Sequence, residues 1–431
     1  MNQRYAWPRH VTGATLARVG DEMSGPALLL AGLAVSGSAS AAGALLAAAT
    51  VAAAVGGPVL GALLDRSPAP GRLLGLAVLG QGAALAAVVP ALGAAPYAVA
   101  VLVAFGAGLL RPALSGGWTS QLPYVVPEKR LGRAATVDAM TFHVASLAGP
   151  ALAAVVAARH GAAPGLLVAA ALVCAAASVA RWPGPGGGAN SLRRYGSQKR
   201  RRPGETSRWR AAARPGGEVR RSVRALVREL GDGFAAVGRS RVLAGATVAT
   251  TLSCAAEGLF VASLPVLGER VFGAAPHGVL LIAATALPAL AANGVLARRP
   301  RLLHPERILT VTPLVLALAV MLTAVLDPLV VVLAMLLAGA AEGPQLAALF
   351  AIRHRAAPAG LRAQVFTTGA SLKLAGYACG AAAAGPLSDR SLPGALLAAA
   401  GVHTLAALSA ALLLARSRRA PTHRQSGREL A

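Results

Sequence analysis

Charged residues are scarce in this chain of 431 residues, and acidic residues are the scarcer kind. Charged side chains make up 13% of the sequence, with 16 Asp and Glu against 41 Lys and Arg. A chain this basic would bind nucleic acid only through a polar domain with a basic face, and a hydrophobic content of 55% leaves little room for one. The composition therefore argues against a nucleic-acid partner and against a soluble basic domain.

Cysteine and aromatic residues are also few. Cys174, Cys254 and Cys379 lie inside apolar stretches, without the spacing of metal ligands or of a disulfide framework. We therefore expect no metal and no cofactor, and we interpret the cysteines as small packing residues. Aromatic residues make up 4% of the chain, too few to predict a cage for a large cationic drug.

Long apolar stretches of Ala, Leu, Val and Gly are abundant. Stretches of about 20 residues, enough for a helix to cross a hydrocarbon core of about 30 Å, recur along the whole length. The sequence predicts an all-α membrane protein with twelve transmembrane helices in two pseudo-symmetric six-helix halves. The predicted spans are 12–36, 41–64, 73–92, 97–118, 134–157, 164–180, 242–267, 278–297, 308–326, 329–351, 364–387 and 393–414.

Basic residues occupy alternate gaps between these stretches. The gaps nearly free of Arg and Lys are 37–40, 93–96 and 273–277. The basic gaps are 66–72, 129–133, 298–307 and 353–362. Because basic loops stay on the cytoplasmic side, we expect both termini and the long central loop in the cytoplasm, with the chain in the plasma or inner membrane of the cell. The N-terminus lacks a signal-peptide pattern with a cleavage site, so the first span is expected to act as an uncleaved anchor.

The sequence divides into four predicted parts. They are the first six-helix half at 1–181, a basic cytoplasmic linker at 182–241, the second half at 242–416 and a cytoplasmic tail at 417–431. The first part of the linker is rich in Gly, Pro and Arg and is predicted to be disordered. Its second part, from Val219 to Val237, places apolar residues at helical spacing opposite arginines. Such a helix should lie on anionic lipids of the inner leaflet, and a specific protein partner is the alternative.

An internal repeat supports the division into halves. Gly294 near the end of the eighth span follows Gly61 near the end of the second by 233 residues. Two further pairs of positions, Arg111 with Glu342 and His143 with Lys373, have offsets of 231 and 230 residues. Similar offsets at three places indicate two six-helix halves related by duplication. This construction is typical of transporters, which bind substrate between the halves near mid-membrane.

One segment resembles a motif of a known family. Gly61-Ala62-Leu63-Leu64-Asp65-Arg66, followed by Gly71-Arg72, is similar to the loop signature between the second and third helices of the major facilitator superfamily. The loop here is longer than the usual pattern, with Ser67-Pro68-Ala69-Pro70 between the two parts. Gly149-Pro150 is similar to the Gly-Pro of the exporter branch, without its full glycine series. Arg18-Val19-Gly20-Asp21 and the segment 229–234 resemble bacterial multidrug and metabolite exporters of the siderophore and macrolide efflux type.

This resemblance implies a gate at the cytoplasmic end. The second helix would lie beside the eleventh, and Asp65 would face the N-terminus of the eleventh helix near Arg362, where both favour an anion. The equivalent position in the second half is Arg298, so the two gates should be unequal. An ordinary loop turn with screened charges is the alternative. The predicted gating residues are Gly61, Asp65, Arg66, Gly71, Arg72 and Arg362.

Ionisable residues inside the spans indicate the substrate or proton pathway, because charge is costly there and is kept for function. The 42 residues from Met23 to Leu64 are too few for two spans and a turn if the first span began after the charges. The first helix must therefore contain Arg18 and Glu22, which are predicted to pair on one face, with Asp21 pointing elsewhere. The predicted pathway residues are Arg18, Asp21, Glu22, Arg111, His143, Glu257, Glu342 and Lys373, and Asp138 is predicted to be a gate or first-turn residue. Structural ion pairs and snorkelling side chains are the alternatives.

Together these features predict a secondary active transporter that works by alternating access. We interpret it as a proton-coupled antiporter for the efflux of small amphiphilic metabolites or drugs, since a desolvated carboxyl group can take up a proton and a nearby cation can displace it. An importer, a uniporter and a non-transporting scaffold or receptor are the alternatives. A membrane-embedded enzyme would need a catalytic constellation at the headgroup level, and no His/Asp or Asp/Asp pair in a loop supplies one. The expected partners are protons, a small-molecule substrate and anionic membrane lipids.

Overall fold

Helices make up the regular structure in the part of the chain that is described. The computed structural model describes residues 6–37, 39–179, 231, 233–273 and 275–418. The long helices are α1 (Ala6–Ser36), α2 (Ala39–Arg66), α3 (Pro70–Ala94), α4 (Tyr97–Leu110), α5 (Leu131–His160), α6 (Ala162–Val179), α7 (Arg241–Phe272), α8 (Ala275–Arg298), α9 (Pro305–Thr323), α10 (Pro328–Ala356), α11 (Arg362–Arg390) and α12 (Leu392–Arg418). Between α4 and α5 lie a 3-10 turn at Arg111–Ala113 and two short helices at Gly116–Thr119 and Leu122–Val125.

Nine helices within the described residues are long and apolar enough to cross a membrane. They are α2, α3, α4 with its extension to Thr119, α5, α7, α8, α9, α10 and α12. The apolar part of α6 is shorter, at Ala162–Ala177. Charged side chains interrupt α1, and polar ones interrupt α11. The protein is thus an all-helical membrane protein, while the count of twelve spans and the two equivalent halves stay predictions.

Local signals in the sequence set several helix ends. The Ser240 hydroxyl accepts the backbone N–H of Leu243 at the start of α7, and the Asp327 carboxylate accepts that of Val330 at the start of α10. Gly273 ends α7 in a left-handed conformation with φ of 75°, which favours glycine. Caps of this kind satisfy backbone groups that the helix itself leaves unpaired.

Two ends of the helical bundle are distinguished by their connections. The Asp65 end, as we name it, contains residue 65 and the connections 67–69, 126–130, 299–304 and 357–361. The opposite end contains the connections at 95–96, 161 and 324–327. The basic gaps of the sequence fall at the Asp65 end, which is the end expected in the cytoplasm.

The apolar core differs between the two ends. At the Asp65 end one cluster joins helices from both parts of the chain, including Ala135 and Ala139 of α5, Ala249 of α7, Phe350 of α10 and Phe366 of α11, and a second cluster adds Ala363 of α11 to residues of the first part. At the opposite end one cluster contains residues of α1–α4 and α6, and a separate one contains residues of α7–α12. The first six and the last six helices therefore pack together at the Asp65 end and separate toward the opposite end.

Two glycines at positions paired by the predicted repeat make similar helix contacts. A Cβ added to Gly108 of α4 would overlap the backbone of Ala49 in α2. A Cβ added to Gly339 of α10 would overlap the backbone of Thr285 in α8 in the same way. Helices can approach this closely only where one of them lacks a side chain. The correspondence favours the duplication that the sequence predicts.

Most of the predicted linker lies outside the described residues. This holds for 182–230, including most of the predicted amphipathic helix, and for the tail after residue 418. Residues 233–239 are helical. Val237 packs with Leu243 of α7, with Val365 of α11 and with Ala357 in the connection between α10 and α11. The end of the linker therefore contacts the Asp65 end.

Candidate functional site

A cavity of about 350 Å³ lies between the first six and the last six helices. Its volume is in the range of pockets that hold small organic molecules. Its charged lining residues are the acids Asp21, Glu22 and Glu257 and the cations Arg111, Arg353 and Lys373. Its apolar and aromatic lining includes Phe142, Leu346, Leu349, Phe350, Phe366 and Tyr377. The cavity therefore offers charges of both signs beside an apolar surface.

Asp21 lies midway along α1 and forms an ion pair in the cavity wall. Arg111 Nε donates to Asp21 Oδ1 at 2.7 Å. Gln81 of α3 donates to the same oxygen at 3.2 Å. Arg111 is the first residue of the 3-10 turn Arg111–Ala113, which follows the end of α4 at Leu110 and contains Pro112. The contact joins α1, α3 and the end of α4.

Glu22 also lines the cavity, next to a close approach of α1 and α5. A Cβ added to Gly149 would lie 2.6 Å from Glu22 Cβ. The Gly149-Pro150 pair therefore lets α5 pack directly on α1 at the level of the charged wall. This gives a structural reason for a glycine at a position that the resemblance singles out.

The predicted pairing of Arg18 with Glu22 is wrong. Arg18 instead forms an ion pair with Asp138 of α5, with Nη1 at 3.0 Å from Oδ1 and Nη2 at 3.1 Å from Oδ2. Both side chains are buried, so Asp138 is no first-turn surface residue. A buried charge pair with additional donors offsets its own desolvation better than an i to i+4 contact would. Arg18 also donates to the hydroxyls of Thr119 and Thr141 and to the carbonyls of Leu114 and Asp138, and it lies over the ring of Phe142.

A second group of ionisable residues comes from the last six helices. Glu257, midway along α7, and Lys373 of α11 line the cavity. Glu342 lies on α10, whose contacts include both α7 and α11. Glu342 does not line the cavity wall, and neither does His143 of α5, whose Nε2 is buried without a hydrogen-bond partner among the described residues.

The structure thus brings together five of the eight predicted pathway residues. They are Asp21, Glu22, Arg111, Glu257 and Lys373. No group of His, Cys, Asp and Glu suited to a metal ion occurs within the described ranges. The three cysteines are free, and Cys254 is part of the cavity wall.

Arg353 is a cavity residue that was not predicted from the sequence. It was expected in the basic gap 353–362, but its side chain is only 2% exposed and lines the cavity. A signal was present, because Leu346, Leu349, Phe350 and Arg353 follow the i, i+3, i+4, i+7 spacing of one helix face. This pattern was overlooked because the tenth span was predicted to end at residue 351, whereas α10 continues to Ala356.

The predicted position of Asp65 at the N-terminus of α11 is confirmed. Its Oδ1 accepts the backbone N–H of Ala363 at 2.9 Å, and its Oδ2 accepts that of Gln364 at 2.7 Å. These are N–H groups that a helix start leaves unpaired, and the helix dipole favours a negative charge there. Asp65 therefore caps a helix of the other part of the chain, while its action as a gate stays a prediction.

The other predicted gating residues differ in their surroundings. Gly61 lies so close to α11 that an added Cβ would overlap the Thr367 hydroxyl. Arg362 is buried in the first turn of α11. Gly71 and Arg72 lie in the first turn of α3, and the Arg72 side chain is exposed. The remaining predicted gating residue, Arg66, is the last residue of α2.

The second half has no comparable contact at Arg298. This side chain is exposed at the end of α8. A cation there would also be repelled by the positive end of a helix. Among the described residues, Asp65 therefore contacts the start of a helix and Arg298 is exposed, so the two equivalent positions differ in their contacts.

Aromatic side chains separate the cavity from the Asp65 end. Phe142 of α5 contacts Phe350 of α10 at 5.6 Å between ring centroids, and Phe350 contacts Phe366 of α11 at 5.9 Å. His354 follows at 4.6 Å from Phe366. Three of the seven phenylalanines of the chain are therefore in contact where helices from both parts meet, which average composition could not indicate.

A helical bundle with a charged cavity between two groups of helices is the architecture of a membrane transporter. The sequence profile of the Major Facilitator Superfamily matches residues 11–373 of the chain. The chain belongs to this superfamily, whose members move solutes, and it is a transporter and not an enzyme. A search of curated proteins gave no match.

Solved transporter structures share the fold. The human organic anion transporter MFSD10 (TETRAN) is 16% identical, with 95% of this chain and 100% of that chain covered and a TM-score of 0.66. A bacterial homologue of the iron transporter ferroportin in an outward-facing state is 15% identical over 97% and 100% of the two chains, with a TM-score of 0.67. The fucose:proton symporter FucP of E. coli is 12% identical over 96% and 99%, with a TM-score of 0.66. At these identities the likeness establishes the fold alone.

Proposed function

We propose that the protein is a proton-coupled antiporter that exports small amphiphilic compounds by alternating access. The observation that carries this proposal is the contact between Asp21 and Arg111 at 2.7 Å in the wall of the cavity. A carboxylate kept at mid-membrane beside a cation can exchange that partner for a proton. Protonation of Asp21 would release Arg111, so proton uptake would change the charge that faces the substrate.

The orientation of the transporter follows from the distribution of basic residues. The Asp65 end would face the cytoplasm of a cell with the protein in its plasma or inner membrane, together with both termini. The arginines of the linker would lie near anionic lipids of the inner leaflet. With the helices packed at the Asp65 end, the cavity would face outward in this conformation and load its acids with protons from outside.

Export is favoured by the resemblance to exporters and by the Gly149-Pro150 pair at the α1–α5 contact. Import by proton symport is the second candidate. It is favoured by the outward direction of the cavity, which would also admit a substrate from outside. FucP, a fucose:proton symporter, is an example of proton symport in the same fold.

Transport into everted vesicles tests both the coupling and the direction. With an imposed pH gradient, acid inside, an antiporter should accumulate substrate from a compound panel, whereas a symporter should not. Asp21→Asn should abolish this accumulation and keep downhill exchange. Asp327→Asn is the matched control, because Asp327 is exposed and caps its own helix, a role that Asn fulfils equally well.

Several outcomes would contradict the proposal. Full proton-driven accumulation by the Asp21→Asn variant would remove the central role of the Asp21–Arg111 pair. Glu257→Gln and Glu342→Gln then ask whether another acid carries the proton. If all three neutral variants keep uphill transport, coupling through these carboxylates is wrong, and a uniporter or another coupling ion becomes the better explanation.

A further inference from the structure

Arg353 is a buried cavity cation without a charge partner. Its Nε and Nη2 atoms are inaccessible to solvent and make no hydrogen bond within the described part of the chain. The other two cations of the cavity differ. Arg111 pairs with Asp21 at 2.7 Å, and Lys373 lies near Glu257. A guanidinium that is withdrawn from water without a carboxylate is costly, and an anion bound to it would offset that cost.

A comparison with Arg18 shows what a satisfied guanidinium looks like in this protein. Both arginines are 2% exposed, and both lie over a phenylalanine ring. Arg18 also has the Asp138 carboxylate, whereas the described contact of Arg353 is the Phe366 ring at 5.8 Å. A ring face at that distance attracts the charge but accepts none of the N–H donors in a hydrogen bond of normal strength.

The unsatisfied atoms have a geometry that suits an oxyanion. Nε and Nη2 form one edge of the planar guanidinium, and two parallel N–H donors on such an edge match the two oxygens of a carboxylate. Both atoms are covered in this conformation, so binding requires the Arg353 side chain to turn this edge toward the cavity. Gly369 of α11 makes room for this group, because a Cβ there would overlap Arg353 Nη2 and Cζ. Lys373 follows Gly369 by one helical turn and lines the same cavity, but it shares its surroundings with Glu257, so Arg353 is the cation left for an external anion.

The surface beside Arg353 is apolar. Leu346, Leu349 and Phe350 share its face of α10 and line the same cavity. An anion bound at the guanidinium would therefore place the rest of the molecule against these side chains and the Phe366 ring. This arrangement fits a compound with one charged end and an apolar body, and it does not fit a compound that is polar all round.

We propose that Arg353 binds the charged end of the substrate, and that the substrate is an organic anion with one carboxylate or similar oxyanion on an apolar body of one or two rings. This proposal rests on the proposed transport function and specifies its substrate class. A carboxylate, a sulfonate and a phosphate ester share the oxyanion chemistry and differ in shape and charge. The experiment separates them.

Binding to the purified full-length protein in detergent tests the proposal without any gradient. The probes are 2-naphthoate, naphthalene-2-sulfonate and 1-naphthyl phosphate, with neutral 2-naphthalenemethanol and cationic 2-naphthylmethylammonium as matched controls. Calorimetry and thermal shift should show binding of at least one anion and much weaker binding of both controls. Arg353→Gln should weaken anion binding by about tenfold or more, because it removes a charge-assisted bidentate contact.

Two further variants keep the test decisive. Arg355→Gln is the control, because Arg355 is two residues away, half exposed and engaged with Glu306 outside the cavity; it should leave binding unchanged. Gly369→Ala should displace the flexible tip of Arg353 while keeping its charge and should weaken binding by a smaller factor than Arg353→Gln. This variant supplies the answer if Arg353→Gln does not fold, as judged by its melting temperature without ligand.

The proposal is overturned if no anion of the panel binds, if the neutral or cationic analogue binds equally well, or if Arg353→Gln and Gly369→Ala both bind like the wild type. Failure of the transport proposal looks different. If Asp21→Asn keeps proton-driven transport while anion binding still depends on Arg353, the coupling mechanism fails and the substrate class stands. If a neutral or cationic compound is transported with a proton dependence that requires Asp21, the function stands and the substrate class fails.

Discussion

Individual charged residues in this transporter fall into two kinds, those that face the cavity and those that hold helices together. Asp21 and Arg111 meet in the cavity wall, whereas Arg18 and Asp138 meet behind it, between α1 and α5. The side chains of Arg18 and Asp138 are 2% and 1% exposed, whereas those of Arg111 and Asp21 are 23% and 12% exposed. The two pairs therefore differ in exposure as well as in position relative to the cavity, and they call for different experiments.

The Arg18–Asp138 pair is predicted to be structural. Arg18→Met leaves the buried Asp138 carboxylate without its cation and should lower the free energy of unfolding by about 3–5 kcal/mol. The double variant Arg18→Met with Asp138→Asn should recover much of that loss and should keep proton-driven transport. A double-mutant cycle on melting temperature, with a flux assay beside it, measures both. If the double variant folds but has lost proton-driven transport, the structural interpretation is wrong and Arg18 belongs to the proton pathway.

The Asp65 carboxylate is predicted to stabilise closure of its end. Asp65→Asn removes the charge that faces the start of α11, which is expected to cost about 1–2 kcal/mol, or roughly tenfold in the balance between closed and open forms. Modification of Cys254 in the cavity wall by a thiol reagent, added from the Asp65 end, reports the change once Cys174 and Cys379 are replaced. Unchanged reactivity of Cys254 would contradict a gating role.

The position of a functional residue could be predicted where a local sequence rule applied. It could not be predicted where its contact depended on a residue far away in the sequence. Asp65 follows from a motif and from helix-end electrostatics, and the cavity acids follow from the cost of charge at mid-membrane. The partner of Arg18 did not follow, because Asp138 is 120 residues away and no spacing rule connects them. Arg353 was missed because a basic residue near a span end is normally a loop residue.

Helices were predictable in position from the apolar stretches. The second span was predicted at 41–64 and is found at Ala39–Arg66, and the tenth was predicted at 329–351 and is found at Pro328–Ala356. The fourth was predicted at 97–118 and is found as a span from Tyr97 to Thr119, but its regular α-helix ends at Leu110 and a 3-10 turn and a short helix complete it. Pro112 and the glycines after it interrupt the helical hydrogen bonds, and hydropathy alone does not register this.

The contact between α2 and α11 depends on the absence of side chains. Gly61→Ala would place a Cβ against Thr367 and Gln364, so it should separate the two helices and favour opening of the Asp65 end. Gly43→Ala in the same helix is the control, because a Cβ at Gly43 meets no atom within 4 Å. Thiol accessibility of Cys254 should rise in the first variant only. Equal behaviour of the two variants would show that this contact does not control access.

At the scale of the whole molecule, the orientation in the membrane can be tested directly. The basic connections predict that a reporter fused after Arg202 is cytoplasmic and that one inserted at Ala275 is outside. Alkaline phosphatase and fluorescent-protein fusions distinguish the two sides. If both positions report the same side, the count of membrane spans is wrong.

The charge inventory of the cavity has a consequence for the response of the protein to membrane voltage. With all six groups ionised, the three acids and three cations of the wall cancel, so an empty transporter would reorient without moving net charge across the field. One bound proton adds a single positive charge, and moving it through the full potential is worth about 2.3 kcal/mol per 100 mV. A membrane that is negative inside would therefore act on the proton-loaded form and leave the empty form largely unaffected.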